Sequence, residues 1–192
     1  MNHKIVEAVS KINDVEPFLH KSLEAFNIEI VNHQSTASTS GKAILITEQM
    51  VHQLSIDELA IVLIHELLHH VLDHPMSIGQ KDPLAYNYAT DIIVNEIISK
   101  YPLRNDKLPL VTKQNFKMTD ISDESVESIY EKLLPIRQTL YKPRDITIEE
   151  MGRYNEMECM AINEFIKHSL KQKTIEIINP VLLSRLQDLA YI

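Results

Sequence analysis

Residues 54–74 read LSIDELAIVLIHELLHHVLDH, and the fold prediction starts from this stretch. Ser55 and Glu58 have the spacing of a capping box, which marks the first turn of an α-helix. Apolar residues then occupy positions on nearly every side, so the sequence predicts a buried helix. Pro75 disfavours helical geometry at the preceding residue, and we therefore expect the helix to end at His74 or slightly before it.

A histidine pair lies in the middle of this predicted helix. His65 and His69 are four residues apart and thus separated by only about 40° around a helix, so both imidazoles can bind one metal ion. Glu66 lies about 100° from His65, too far round for a ligand but well placed to take a proton from a metal-bound water. The alternative is a structural histidine pair, which is costly to bury because each ring needs polar partners. His70 points about 100° away from His69 and is expected to be structural.

Catalytic zinc usually has three protein ligands, so one more is needed. Asp91 is the preferred candidate, because residues 84–100 predict a helix on which Asn87, Asp91 and Asn95 form a polar stripe in an apolar segment. Asn95 is expected to hydrogen-bond to a ligand side chain without binding the metal itself. The alternative for the whole stripe is a solvated helix face. His74 is the alternative third ligand, but if the helix continued, His74 would lie about 180° around it from His65. The chain would have to unwind to bring it round, and no glycine is available for that turn.

The remaining sequence predicts an α+β fold that is mainly helical. Apolar and β-branched residues at 28–33 and 43–47 flank a polar segment and predict a β-hairpin with a long loop. Helical periodicity predicts helices near the N-terminus and at 124–134, 147–170 and 180–190. We expect a domain over residues 1–135, which holds the small sheet and the buried helix, and a C-terminal helical extension over residues 136–192.

Composition narrows the functional classes. The 192 residues include only three glycines, too few for the clustered glycines of nucleotide-binding loops. The net charge of −8 and the lack of long basic runs argue against nucleic-acid binding. The single cysteine, Cys159, indicates a reducing compartment and is expected to be inert. Because no stretch approaches the ~18 apolar residues of a membrane span, the sequence predicts a cytoplasmic protein without a membrane segment.

Four blocks follow one another between residues 35 and 134: STASTSGKAILITEQMV, LSIDELAIVLIHELLHHVLDH, AYNYATDIIVNEII and SVESIYEKLL. In these blocks the chain resembles a family of metallopeptidase domains found in bacterial and phage proteins. Such domains are often followed by a von Willebrand factor A-like domain, which is not recognised in residues 136–192. The resemblance implies a zincin-like fold, with zinc ligands His65 and His69, catalytic base Glu66, and family-typical positions His74, Asp91 and Asn95.

These observations predict a zinc-dependent metallohydrolase, and more narrowly a peptidase that acts on a protein or peptide. The alternative is a non-catalytic module that keeps the metal for stability and binds a protein partner through its C-terminal helices. Hydrolysis of another electrophile, such as a phosphodiester, is disfavoured by the acidic charge.

Two smaller expectations concern the surroundings of the site. In zincin-like folds a strand beside the active-site helix offers its free edge to an extended substrate, and Ala43–Thr47 is the expected strand. An ordinary sheet strand is the alternative. Tyr86, Tyr88 and Tyr130 are expected to be core residues with bonded hydroxyls, although a tyrosine can also stabilise an oxyanion.

Overall fold

The computed structural model describes residues 2–32, 37–40, 42–118, 124–140, 156–172 and 176–189. Within them the chain is mostly helical with one three-stranded sheet, in agreement with the predicted α+β class. The elements are α1 (His3–Val15), α2 (Pro17–Ser22), β1 (Asn27–Val31), β2 (Ser38–Ser40), β3 (Ala43–Thr47), α3 (Glu48–Gln53), α4 (Ile56–Val71), α5 (His74–Ser77), α6 (Pro83–Ile98), α7 (Val126–Leu133), α8 (Glu156–Lys171) and α9 (Pro180–Asp188), with 3₁₀ turns at Leu23–Ala25, Lys113–Phe116 and Leu134–Thr139.

Helix α4 lies at the centre of the fold and begins with the predicted capping box. Ser55 Oγ accepts a hydrogen bond from the Glu58 backbone N–H (3.2 Å), and Glu58 Oε2 accepts one from the Ser55 N–H (2.8 Å). Glu58 Oε1 accepts two more, from the backbone N–H groups of Asp106 (3.1 Å) and Lys107 (2.8 Å). The start of α4 is therefore tied to the loop that follows α6. Both α1 and α6 pack along α4, which accounts for its burial.

The small sheet differs from the predicted hairpin. Strands β1 and β3 are parallel partners over five residue pairs, so the prediction of a hairpin between 28–33 and 43–47 is wrong. The chain between them contributes β2, which pairs antiparallel with β3. The sequence did not indicate β2, because Ser38–Ser40 lacks the apolar and β-branched pattern by which strands are recognised.

Strand β3 is central, since the strand order is β1-β3-β2. The expectation that Ala43–Thr47 offers a free edge is therefore wrong. The physical reason is backbone pairing, because β1 pairs with all five residues of β3 on one side and β2 pairs with Ala43–Leu45 on the other. In the described part of the chain, β1 and β2 are the outer strands.

The predicted helices are largely present. Residues 84–100, 124–134 and 180–190 correspond to α6, α7 and α9, and α8 covers the second part of the helix predicted at 147–170. The first part of that prediction, residues 147–155, lies outside the described residues. None of the helices described here is long and apolar enough to cross a membrane.

The C-terminal helices α8 and α9 contribute to the same core as α4. Ile162 and Ile166 of α8 and Leu182 and Leu186 of α9 are buried in one apolar cluster with residues of α1, α4 and α6. The buried carboxylate of Glu16 also accepts hydrogen bonds from two backbone N–H groups at the start of α9 (3.1 and 2.9 Å). The division of the chain after residue 135 stays a prediction.

Candidate metal centre

Helix α4 is accessible to solvent at one place within its buried length. Between Glu58 and Val71, only His65, Glu66 and His69 are not buried. The two histidine side chains keep 20% and 14% of their surface exposed. Because residues i and i+4 of a helix lie on one face, both rings point into the same opening.

Helix α6 brings the preferred third ligand to this histidine pair. Asp91 Oδ1 lies 3.2 Å from His69 Nε2 and 3.5 Å from His65 Nε2, and the two Nε2 atoms are 3.2 Å apart. Each of the three side chains offers one ligand atom to a group that could hold a metal ion. Among the residues that the structure describes, this is the one such group of His, Cys, Asp or Glu side chains. The structure thus places His65, His69 and Asp91 together from two packed helices.

The polar stripe of α6 faces α4 rather than solvent. Asn95 Oδ1 lies 3.0 Å from His65 Nδ1, and Asn95 Nδ2 donates to the backbone carbonyl of Val111 (2.8 Å). Asn87 Nδ2 donates to Asp91 Oδ2 (3.1 Å), which leaves the Oδ1 atom of that carboxylate directed at the histidines. Asn95 is buried, so both ends of its amide are used inside the protein. Each residue of the stripe therefore acts within the candidate site.

His74 lies behind His69 and not beside Asp91. The chain unwinds after α4 although it has no glycine there, because Asp73 adopts the left-handed conformation (φ 58°). His74 Nδ1 then lies 3.2 Å from His69 Nδ1, the ring nitrogen opposite the one near Asp91. The Tyr86 hydroxyl donates to the His74 backbone carbonyl (3.2 Å) and helps to hold this turn. The turn thus brings His74 to the site, as its role as alternative third ligand requires. Its ring, however, lies against His69 Nδ1 and not against the Nε2 atoms near Asp91.

The charges at this centre favour a bound cation. Burial opposes ionisation of Asp91, but its hydrogen bonds and charge interactions with His65 and His69 outweigh burial and hold the pKa of this carboxyl well below its usual range. Burial also opposes protonation of His65, yet Asp91 raises the pKa of this imidazole to about 9. Burial keeps the pKa of His74 well below its ordinary value, so His74 is neutral at pH 7. The Asp91 carboxylate therefore attracts positive charge to the two Nε2 atoms.

Glu66 lies outside the convergent group and has a different partner. The hydroxyl of Thr39, on β2, donates to Glu66 Oε2 at 2.8 Å. Sequence reasoning did not single out Thr39, because a threonine in the polar run STASTSGK carries no chemical signature of its own. Only the pairing of β2 with β3 shows that this threonine lies beside α4.

The remaining candidates have structural environments. The Tyr130 hydroxyl accepts from a backbone N–H at the start of α6 (3.0 Å), and the ring of Tyr88 packs edge-on against Phe116. Burial raises the pKa of the Cys159 thiol, as expected of an inert cysteine. His70 is buried against an aromatic ring, and burial lowers its pKa to about 4, in keeping with a structural role.

Comparison with known proteins identifies the family. No match was found among curated proteins or among solved structures. A family model described as "Putative metallopeptidase domain" matches residues 1–172, a range that contains the whole of the candidate centre. The resemblance noted in the sequence is thereby confirmed, and the chain belongs to this family of metallopeptidase domains.

Proposed function

We propose that this protein is a zinc-dependent peptidase in which His65, His69 and Asp91 bind the metal. The observation that carries the proposal is the set of distances between their ligand atoms, which are 3.2, 3.2 and 3.5 Å. Zinc bonds of about 2.0–2.1 Å at tetrahedral angles separate two ligand atoms by roughly 3.3 Å. The three side chains thus already have the spacing of three corners of a zinc tetrahedron. Two imidazoles and one carboxylate are also a donor set that catalytic zinc sites use.

The hydrogen bonds of the two histidines support Nε2 as the ligand atom of each ring. Asn95 donates its amide N–H to Val111, so its oxygen faces His65, which must donate from Nδ1. The proton on Nδ1 leaves Nε2 as the ligand atom once the cation replaces the proton that Asp91 attracts there. In the same way, neutral His74 can accept from His69 Nδ1 and leave His69 Nε2 for the metal.

Glu66 is proposed as the general base. It follows His65 directly on α4 and lies in the solvent-accessible part of the helix, but its carboxylate does not belong to the group of converging ligand atoms. A zinc ion held by His65, His69 and Asp91 would supply a water of lowered pKa and would polarise the scissile carbonyl. The Glu66 carboxylate would accept the proton from the attacking water and pass it to the leaving amine.

The proposed substrate is a protein or peptide, bound in extended form along β2. Family membership supports the substrate class, and the contact between β2 and Glu66 supports the place. In the described part of the sheet β2 is an outer strand, and outer strands are the ones to which extended peptides bind by backbone hydrogen bonds. A zincin-like fold and a cytoplasmic location complete the proposal.

Glu66→Gln is the deciding variant, because it removes the base without touching a proposed ligand. We expect about one zinc per chain in both proteins, and a fall in kcat of roughly 100- to 10,000-fold with little change in KM. The assay uses zinc-loaded full-length protein with mixed peptide libraries, and chelated protein as the blank. Metal analysis covers iron as well, since two histidines and one carboxylate also bind iron(II).

Matched controls separate the site from general effects. Glu48→Gln changes a carboxylate of the same type that is 58% exposed on α3, and it should behave as the unmodified protein. Replacing both His65 and His69 with alanine should abolish zinc binding, whereas His52→Ala, at a side chain that is 73% exposed, should not. Activity that survives Glu66→Gln undiminished would refute the mechanism. A zinc-loaded protein that cleaves nothing but captures a partner independently of Glu66 would favour the non-catalytic binding module.

A further inference from the structure

Thr39 is the hydrogen-bond donor to the proposed base. Its hydroxyl lies 2.8 Å from Glu66 Oε2, within the range of a strong hydrogen bond to a carboxylate. The same oxygen is 3.5 Å from the Glu66 backbone carbonyl, too far to compete for its single proton. Within the described parts of the chain, no other side chain hydrogen-bonds to the Glu66 carboxylate.

The pairing of β2 with β3 directs the Thr39 side chain toward Glu66. Thr39 pairs directly with Ile44 of β3, and directly paired residues of antiparallel strands point to the same face of the sheet. Ile44 is fully buried, and both β2 and β3 contact α4. Thr39 therefore faces α4, while the strand that carries it remains at the outside of the sheet.

We propose that Thr39 is a positioning residue for the Glu66 carboxylate. This inference rests on the proposed function, because it assigns Thr39 a role only through the base. A glutamate side chain has three rotatable bonds, and a partly exposed one samples several rotamers unless it is anchored. The Thr39 hydroxyl anchors Oε2, which leaves Oε1 as the oxygen that takes the proton from the attacking water. The same contact couples the base to the strand along which the peptide is proposed to bind.

Thr39→Val is the test variant, because valine keeps the shape and the β-branching of threonine but removes the hydroxyl. Thr39→Ser is its matched control, since serine keeps the donor. With zinc-loaded full-length protein and a peptide cleaved by the unmodified chain, Thr39→Val should lower kcat about 10- to 100-fold and leave KM within about threefold. Thr39→Ser should restore most of the lost rate.

A second readout does not depend on turnover. Acetohydroxamate binds zinc and can hydrogen-bond to a neighbouring carboxylate, so its Kd, measured by calorimetry, reports where Glu66 is held. We expect Thr39→Val to weaken this binding severalfold, while zinc affinity, measured by chelator competition, is unchanged. In a Glu66→Gln background, Thr39→Val should cause no further loss in either measurement, because the two residues act as a unit.

The possible outcomes are distinct. If Thr39→Val matches the unmodified protein in kcat and in hydroxamate affinity while Glu66→Gln is impaired, the positioning role is refuted and the proposed function stands. If Thr39→Ser is as impaired as Thr39→Val, or if both lose zinc, Thr39 acts through packing and the inference is again refuted. If the unmodified protein neither cleaves peptides nor binds the hydroxamate, the proposed function fails, and this inference fails with it.

Discussion

Removal of the Asp91 carboxylate separates the two candidate third ligands. Asp91 Oδ1 lies 3.2 and 3.5 Å from the two Nε2 atoms, whereas His74 contacts only the outer nitrogen of His69. If this arrangement binds zinc, Asp91→Ala removes a metal bond. His74→Ala removes only the group that orients one ligand.

The expected losses can be estimated from the number of ligands. Structural zinc sites with four ligands bind with roughly 10–16 kcal/mol, so one ligand accounts for roughly 2.5–4 kcal/mol, or roughly 70- to 900-fold in Kd. Loss of an outer partner typically costs only about 10- to 100-fold. We therefore expect Asp91→Ala to weaken zinc binding severalfold more than His74→Ala. Asp91→Asn should fall between them, because its amide oxygen keeps the position but loses the charge.

The assay is zinc affinity by competition with a fluorescent chelator, at constant pH and ionic strength. Asp188→Ala, at an exposed carboxylate on α9, is the matched control and should bind zinc as the unmodified chain does. Thermal unfolding of each metal-free variant checks that the fold is retained, since Asp91→Ala also leaves the Asn87 amide without its acceptor. A larger loss for His74→Ala than for Asp91→Ala would show that His74 is the ligand and that the spacing argument is wrong.

Two further predictions concern stability. Chelation of zinc should lower the Tm, because a ligand present at about 1,000 times its Kd stabilises the folded state by roughly 4 kcal/mol. For a chain of this size, that free energy corresponds to a fall in Tm of roughly 8–16 °C. Equal Tm values with and without chelator would contradict a bound metal. Glu58→Gln should destabilise the fold by roughly 1–2 kcal/mol at neutral pH, because one carboxylate there accepts three backbone N–H groups. Burial by itself would raise the pKa of Glu58, but these hydrogen bonds outweigh burial, and the pKa is lowered below 4.5. The stabilisation is therefore present above about pH 4.5 and is lost as the pH falls through the lowered folded-state pKa. Urea unfolding at several pH values should therefore show the difference between Glu58→Gln and the unmodified chain disappear in acid, and a difference that persists there would contradict this account.

The central helix and its histidine pair followed from the sequence alone. Capping by Ser55 and Glu58 and the i, i+4 spacing of His65 and His69 are properties of a single helix, and the geometry of a helix is the same in any fold. The inward orientation of Asp91 also followed, since the other side chains of its helix are mostly apolar and leave few positions for a polar stripe. Local periodicity was sufficient for these features because the face that a side chain occupies on a helix is set by its position along the chain.

Contacts between distant segments required the tertiary structure. The parallel pairing of β1 with β3, and the insertion of β2 as the outer strand, could not be inferred because pairing partners depend on which faces the rest of the core covers. The position of His74 against His69 Nδ1 depended on the left-handed turn at Asp73, a conformation that residues other than glycine seldom adopt. The hydrogen bond from Thr39 to Glu66 joins residues 27 positions apart through strand pairing and helix packing together. A sequence pattern records which side chains share one face of one element, but distances between elements are set by how the whole core packs.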